Sequence, residues 1–119
     1  MNIAILTGRL VKDAETKTLS TGSTITSFTI AVDRGGKSKE TDFIDCKAWG
    51  KTGDFVSQYF SKGKPISVIG KIQTRTYEAQ DGSKRKVTDI LVDSVEFVIG
   101  SSGSTQKQET ETESEELIF

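Results

Sequence analysis

Histidine is absent from this chain, and cysteine, proline, methionine and tryptophan each occur once. The missing imidazole removes the commonest general base and the commonest metal ligand. Serines and carboxylates remain, but no nucleophile–base pair, phosphate-cradling loop or metal-ligand spacing stands in the sequence. An enzyme is therefore the least supported class, and neither a metal nor a cofactor is expected. The lone Cys46 forms no internal disulfide and no zinc cluster, which fits a reducing cytoplasm. No apolar run approaches the roughly 20 residues of a membrane span, and Met1-Asn2-Ile3 leads straight into strand-like sequence where a signal peptide would have an apolar core. Hydrophobic residues are scarce as well, 34% of 119. That points to a portion of the chain that does not fold, or to barrel strands that build a core from few residues. The length suits one domain.

The net charge of −1 conceals two unlike parts. Residues 1–100 hold 15 lysines and arginines against 12 acids, whereas residues 101–119 hold one lysine and five glutamates. A mildly basic body thus carries an acidic tail. The body is too weakly basic for charge alone to indicate a nucleic-acid partner.

Side chains of a strand point alternately to opposite faces, and the stretch from Thr41 to Trp49 alternates. Ile44, Cys46 and Ala48 share one side; Phe43, Asp45, Lys47 and Trp49 share the other. If the small apolar set faces the core, two large aromatics and a lysine face water. The opposite assignment buries Asp45 and Lys47, which is costly. Exposed aromatics beside cations form a platform on which unpaired bases stack while phosphates meet positive charge.

The remaining pattern is mostly of period two. Residues 2–10 read as a first strand, apolar on both sides, with Ile3 and Ile5 one way and Ala4 and Leu6 the other. One side suits a core, and the other needs a cover from a partner subunit or from a loop or helix of the same chain. Glu15 to Leu19 pairs with the next strand through a turn at Ser20-Thr21-Gly22-Ser23. Ile25 to Val32 is a second strand with Phe28, Ile30 and Val32 inward. Arg34-Gly35-Gly36-Lys37-Ser38-Lys39 is a basic loop. Between Lys51 and Phe60 the period changes: Phe55, Val56, Tyr59 and Phe60 form one stripe of a short helix, with Tyr59 and Phe60 read as core plug residues and Asp54 near its positive end. Pro65 opens a fourth strand with Ile66, Val68, Gly70 and Ile72 inward and Lys71, Gln73, Arg75 and Tyr77 outward. A hairpin tip with Asp81-Gly82 comes next, then Lys84-Arg85-Lys86 and a fifth strand from Val87 to Ile99. From Gly100 the composition is that of a linker, then of a polar acidic segment too poor in apolar residues to fold alone. It ends in Glu115-Glu116-Leu117-Ile118-Phe119, three bulky apolar residues that a merely solubilising tail does not need.

Strand, strand, strand, short helix, strand, strand is the order of an all-β, five-stranded Greek-key OB-fold barrel. The expected division is an OB-fold domain over residues 1–100 and a linker with an acidic tail over residues 101–119. At this point the chain resembles the bacterial and bacteriophage single-stranded DNA-binding proteins. The resemblance rests on Leu6-Thr7-Gly8-Arg9-Leu10, Phe28-Thr29-Ile30-Ala31-Val32-Asp33-Arg34, the segment from Asp42 to Lys51, Tyr59-Phe60-Ser61-Lys62-Gly63, the segment from Ile69 to Tyr77, and Asp93-Ser94-Val95-Glu96-Phe97. It spans residues 1–99 in order. The tail departs in detail: Glu-Glu-Leu-Ile-Phe stands where the family usually has aspartates and a proline before the phenylalanine. An aromatic that some relatives carry in the loop after the second strand is replaced here by Arg34, Gly35, Gly36 and Lys37.

What the resemblance implies is sequence-independent binding and protection of single-stranded DNA during replication, recombination and repair, in a bacterial or phage-infected cell. It assigns base stacking to Phe43, Trp49 and Tyr77, and places Lys51, Lys62 and Arg75 near the DNA backbone. Further candidate backbone contacts are Arg9, Arg34, Lys37, Lys39, Lys47, Lys84, Arg85 and Lys86. The family implies a homo-oligomer, with a tetramer favoured over a dimer, and a docking tail (Glu115, Glu116, Leu117, Ile118, Phe119) for replication and recombination proteins. Two other readings stay open: an RNA-binding OB module, and an adaptor acting mainly through its tail.

Overall fold

The structure is a computed structural model and describes residues 1–98. Its elements run β1 (Ala4–Leu10), β2 (Glu15–Thr18), β3 (Thr24–Asp33), β4 (Thr41–Trp49), α1 (Gly50–Tyr59), β5 (Pro65–Glu78) and β6 (Lys84–Phe97). The single sheet has the order β1-β5-β6-β4-β3-β2, and β1 also pairs with β3. That extra pairing closes a ring. All pairs are antiparallel except β4 with β6, which run parallel through Cys46–Ile90, Lys47–Leu91 and Ala48–Val92. This is the expected Greek-key OB barrel. Six strands appear instead of five because β1 and β2 are successive pieces of one bent strand. Both pair with β3, β1 through Arg9 and Leu10 and β2 from Glu15 to Thr18.

The period-two pattern places the core. Phe28 and Ile30 of β3, Cys46 and Ala48 of β4, Ile66 and Val68 of β5, and Ile90 and Val92 of β6 are buried together. Burial of each full-sized apolar side chain contributes about 1.5–3 kcal/mol, so a few dense layers hold a ring poor in apolar residues. The buried hydroxyl of Thr26 is satisfied by Thr16 at 2.8 Å, as a buried polar group must be.

Helix α1 covers one end of the ring. Val56 is fully buried, and Phe60, the first residue beyond the helix, turns inward to join the core. A Cβ at Gly53 would strike Thr26 and the Ala48 carbonyl, so only glycine lets the helix sit this close to the sheet. Two expectations for the helix are corrected. Tyr59 is 46% exposed, not a plug. It is the last helical residue and lies outside the ring's mouth, where it packs against Phe55 and Phe97. Asp54 falls beyond the first turn, which has no acid.

Strand β5 has two halves. Up to Gly70 it is a barrel strand; beyond it every residue of β5 is exposed, and its outer part pairs with Lys84–Thr88 of β6 in a mostly exposed two-stranded arm, while Asp89 and Ile90 of β6 remain buried. The register shifts between Ile69 and Gly70, and a Cβ at Gly70 would strike the Leu91 carbonyl. A bulge with glycine at the point of close backbone approach is a usual way to bend a barrel strand. Ile72, expected inside, is 47% exposed because it lies past this bend. The arm ends in a turn in which Ala79 donates to Ser83 and Gly82, at φ 87°, donates back to Ala79. The expected start of the last strand at Val87 moves to Lys84, since pairing runs to Glu78–Lys84 at the tip. Its expected end at Ile99 lies outside the described residues, as does the tail with Glu115, Glu116, Leu117, Ile118 and Phe119. No helix of the described residues is long and apolar enough to cross a membrane.

Candidate functional site

Strand β4 presents its outer face as the sequence indicates. Phe43 is 69% exposed and Trp49 46%, and they stand six strand steps apart, about 20 Å. Trp49 occupies the junction with α1 and has extended backbone; Gly50 comes next at φ 55°, a left-handed conformation that lets the chain turn into the helix directly after the indole. Tyr77, 49% exposed, stands on the arm. In an antiparallel pair, residues directly opposite share a face. Tyr77 with Arg85, Arg75 with Val87, and Gln73 with Asp89 therefore form one surface.

That surface and the outer face of β4 enclose a cleft of about 440 Å³, lined by Trp49, Ile25 and Leu91 and by Lys47, Arg75 and Asp89. A smaller groove continues from Lys47, Arg75 and Asp89 toward Lys12, Thr29 and Asp45. The cleft is thus apolar near the indole and charged along its floor. Asp89 is buried, 7% exposed, and its Oδ2 lies 3.3 Å from Arg75 Nε and 3.7 Å from Lys47 Nζ. Lys47 therefore does not pair with Asp45; that carboxylate accepts instead from the Thr29 hydroxyl at 2.9 Å.

The candidate cations are not one patch. Lys47 and Arg75 meet in the cleft, and Lys51 lies in the first turn of α1, two residues past the indole. Arg34, Lys37 and Lys39 lie on the β3–β4 loop at the Phe43 end. Arg34 is held there by two carboxylates, with Nη1 2.6 Å from Glu40 and Nε and Nη2 both donating to Asp42. The Arg34 hydrogen bond holds the Asp42 carboxyl below the usual carboxylate range. Lys84, Arg85 and Lys86 are split by the strand period. Arg85 shares the face of Tyr77 and approaches Asp81 at 3.7 Å, while Lys84 and Lys86 point to the other face of the arm. Arg9 donates to the Gly63 carbonyl, and the Lys62 amide donates to Asp13, both at the end of the ring where β5 begins. Among the described residues no group of three or more possible metal-ligating side chains converges. The Cys46 thiol is pushed up to about 12 by burial and then by the nearby Asp45 and Asp89 charges, so it is inert as a nucleophile at neutral pH.

Residues 1–98 match the model of the Single-strand binding protein family. The chain belongs to that family. Among its relatives are the single-stranded DNA-binding protein of Clostridium perfringens, 44% identical over 107 residues that cover 89% of this chain and 71% of the relative, and that of Clostridium tetani, 48% identical over 103 residues that cover 82% and 70%. The single-stranded DNA-binding protein of Bacillus cereus is 38% identical over 112 residues, covering 91% of this chain and 66% of the relative. Asp89 of the cleft and Lys12 of the groove beside it are not among the residues the sequence pattern marks. The signal for Asp89 lay in the pairing: it stands opposite Gln73 and diagonal to Arg75, within reach of a long side chain.

Proposed function

We propose that the chain binds single-stranded DNA without regard to sequence, by stacking bases on Phe43, Trp49 and Tyr77 while cations of the cleft and its surroundings meet the phosphates. The observation that carries this reading is the cleft itself: an outward indole beside Lys47 and Arg75, with further exposed rings at the Phe43 end of β4 and on the arm. Every base has a π-face, so stacking tolerates any sequence and is worth about 1–3 kcal/mol per base. Phosphate contacts add affinity that falls with salt through counterion release. Lys47, Lys51 and Arg75 are the backbone contacts nearest the indole. Arg9, Lys37, Lys39, Lys62, Lys84, Arg85 and Lys86 extend the path, and Arg34 contributes least because two carboxylates already occupy it.

The binding unit is a homo-oligomer in this reading, a tetramer before a dimer. Ile3 and Ile5 support it: Ile3, just before β1, and Ile5, on its outer side, are 59% and 69% exposed, and none of the described residues covers them. Several barrels on one strand gain affinity through effective concentration. The segment Glu115–Phe119 docks replication and recombination proteins, and the protein works in the cytoplasm.

A single titration tests the core of the proposal. Trp49 is the only tryptophan, so its fluorescence reports directly on the cleft. Saturating oligo-dT should quench it, and mass in solution with and without a long oligo-dT should give assembly and stoichiometry together. An unchanged indole signal at saturation would rule out stacking there, and a monomer in both samples would rule out the assembly. Preference for oligo-U over oligo-dT would turn the assignment to RNA.

A further inference from the structure

We propose that Asp89 is a positioning residue that orients the two cations of the cleft and holds its net charge at +1, limiting how tightly single-stranded DNA is gripped. The inference rests on the binding reading above. A carboxylate placed on a DNA-facing surface is unfavourable for phosphates, and a buried one costs several kcal/mol unless paired, so its presence at the centre of the cleft needs a reason. Asp89 is one of two buried polar residues among those described; Thr26, the other, has its hydroxyl partner. Asp89 has two cationic partners, both in the cleft. Lys47 reaches it across the parallel seam from β4, and Arg75 reaches it along the arm from β5. Arg75 uses only Nε for this contact. Its side chain is 56% exposed, and neither Nη group has a partner among the described residues, which leaves both available for the two-pronged grip that a guanidinium makes on a phosphate. The carboxylate therefore does two things. It fixes the guanidinium beside the indole, and it cancels one of the two positive charges that a phosphate would otherwise meet.

The two effects separate by substitution. Asp89→Asn keeps an acceptor for Arg75 Nε and removes the charge. It should tighten oligo-dT binding at low salt by roughly threefold to tenfold and steepen the slope of log K against log salt by about 0.7, the value of one added phosphate contact on a single strand. Quenching of Trp49 at saturation should be unchanged. Asp89→Ala also removes the charge but releases the guanidinium, so it should show the steeper slope with weaker binding than the asparagine variant. Should a lone substitution unfold the barrel, Lys47→Gln with and without Asp89→Asn answers the same question. The single variant lowers the slope by about 0.7, and the double variant, whose cleft again carries +1, returns it to the wild-type value. Unchanged affinity and slope in Asp89→Asn, or equal slopes in the last two proteins, overturns the charge-setting role. Equal affinity of Asp89→Asn and Asp89→Ala overturns the positioning role. Failure of the wild type to bind oligo-dT would count against the binding reading itself, whereas normal wild-type binding with unaltered variants counts against this inference alone.

Discussion

Replacing Trp49 with alanine gives a loss whose size is set by the surface the indole leaves open. A tryptophan side chain presents up to ~250 Å², and Trp49 is 46% exposed, so about 115 Å² remains for a ligand. One base covers one ring face, roughly half of that area. At ~25 cal/mol per Å² this is about 1.5 kcal/mol, inside the ~1–3 kcal/mol range for base–aromatic stacking, and corresponds to a loss of about tenfold in affinity. Trp49→Phe keeps a flat ring and should lose about threefold or less on the same basis. The assay is anisotropy of a labelled oligonucleotide, since the variant has no tryptophan, run with oligo-dT and with a mixed sequence. The loss should be the same for both. A change below about twofold, or one confined to a single sequence, would refute the reasoning, because stacking on an open indole does not discriminate among bases. Thermal unfolding serves as control: the indole is about half buried, so a modest drop in Tm is expected, with the barrel still formed.

The geometry sets three other outcomes. Arg75→Ala should weaken binding of oligo-dT and lower the salt slope by about 0.7, whereas Arg34→Ala should change both far less, because Arg34 is engaged by Glu40 and Asp42. Cys46, with its thiol raised from 9.0 to about 12, should resist alkylation in the native protein at pH 8 and react once denatured. A thiol raised on folding favours the native state below its unfolded value, so stability should fall as pH rises between 9 and about 12; flat stability across that window contradicts the burial. Gly70→Ala should cost about 1–3 kcal/mol by denaturant titration, since the new methyl meets the Leu91 carbonyl.

The alternation of β4 was legible because small apolar residues and bulky polar or aromatic ones take strictly opposite turns from Phe43 to Trp49, and only one assignment avoids burying Asp45 and Lys47. The hairpin tip was legible through Asp81-Gly82, and the helix through its stripe. The failures have a common cause. Periodicity says which residues share a face, not how far that face stays covered. Ile72 continues the inward register of Ile66 and Val68, yet the bend at Gly70 carries it out of the ring. Tyr59 belongs to the same stripe as Val56, yet the helix ends there and Tyr59 stays outside while Phe60 turns in. Asp89 was missed for a different reason: its meaning comes from Lys47, more than forty positions away, and only the β4–β6 pairing brings the two together.

That parallel seam also orders the protein's own formation. Cys46 finds Ile90 only after almost the whole barrel sequence has been made, and such distant pairings are entropically slow and come late in folding. Until they form, β4 has an open edge, a template for unwanted association between nascent chains. The cleft is assembled by the same event, because Lys47 comes from one side of the seam and Asp89 from the other. A half-made or truncated chain therefore lacks the cleft, which arrives in one step with ring closure.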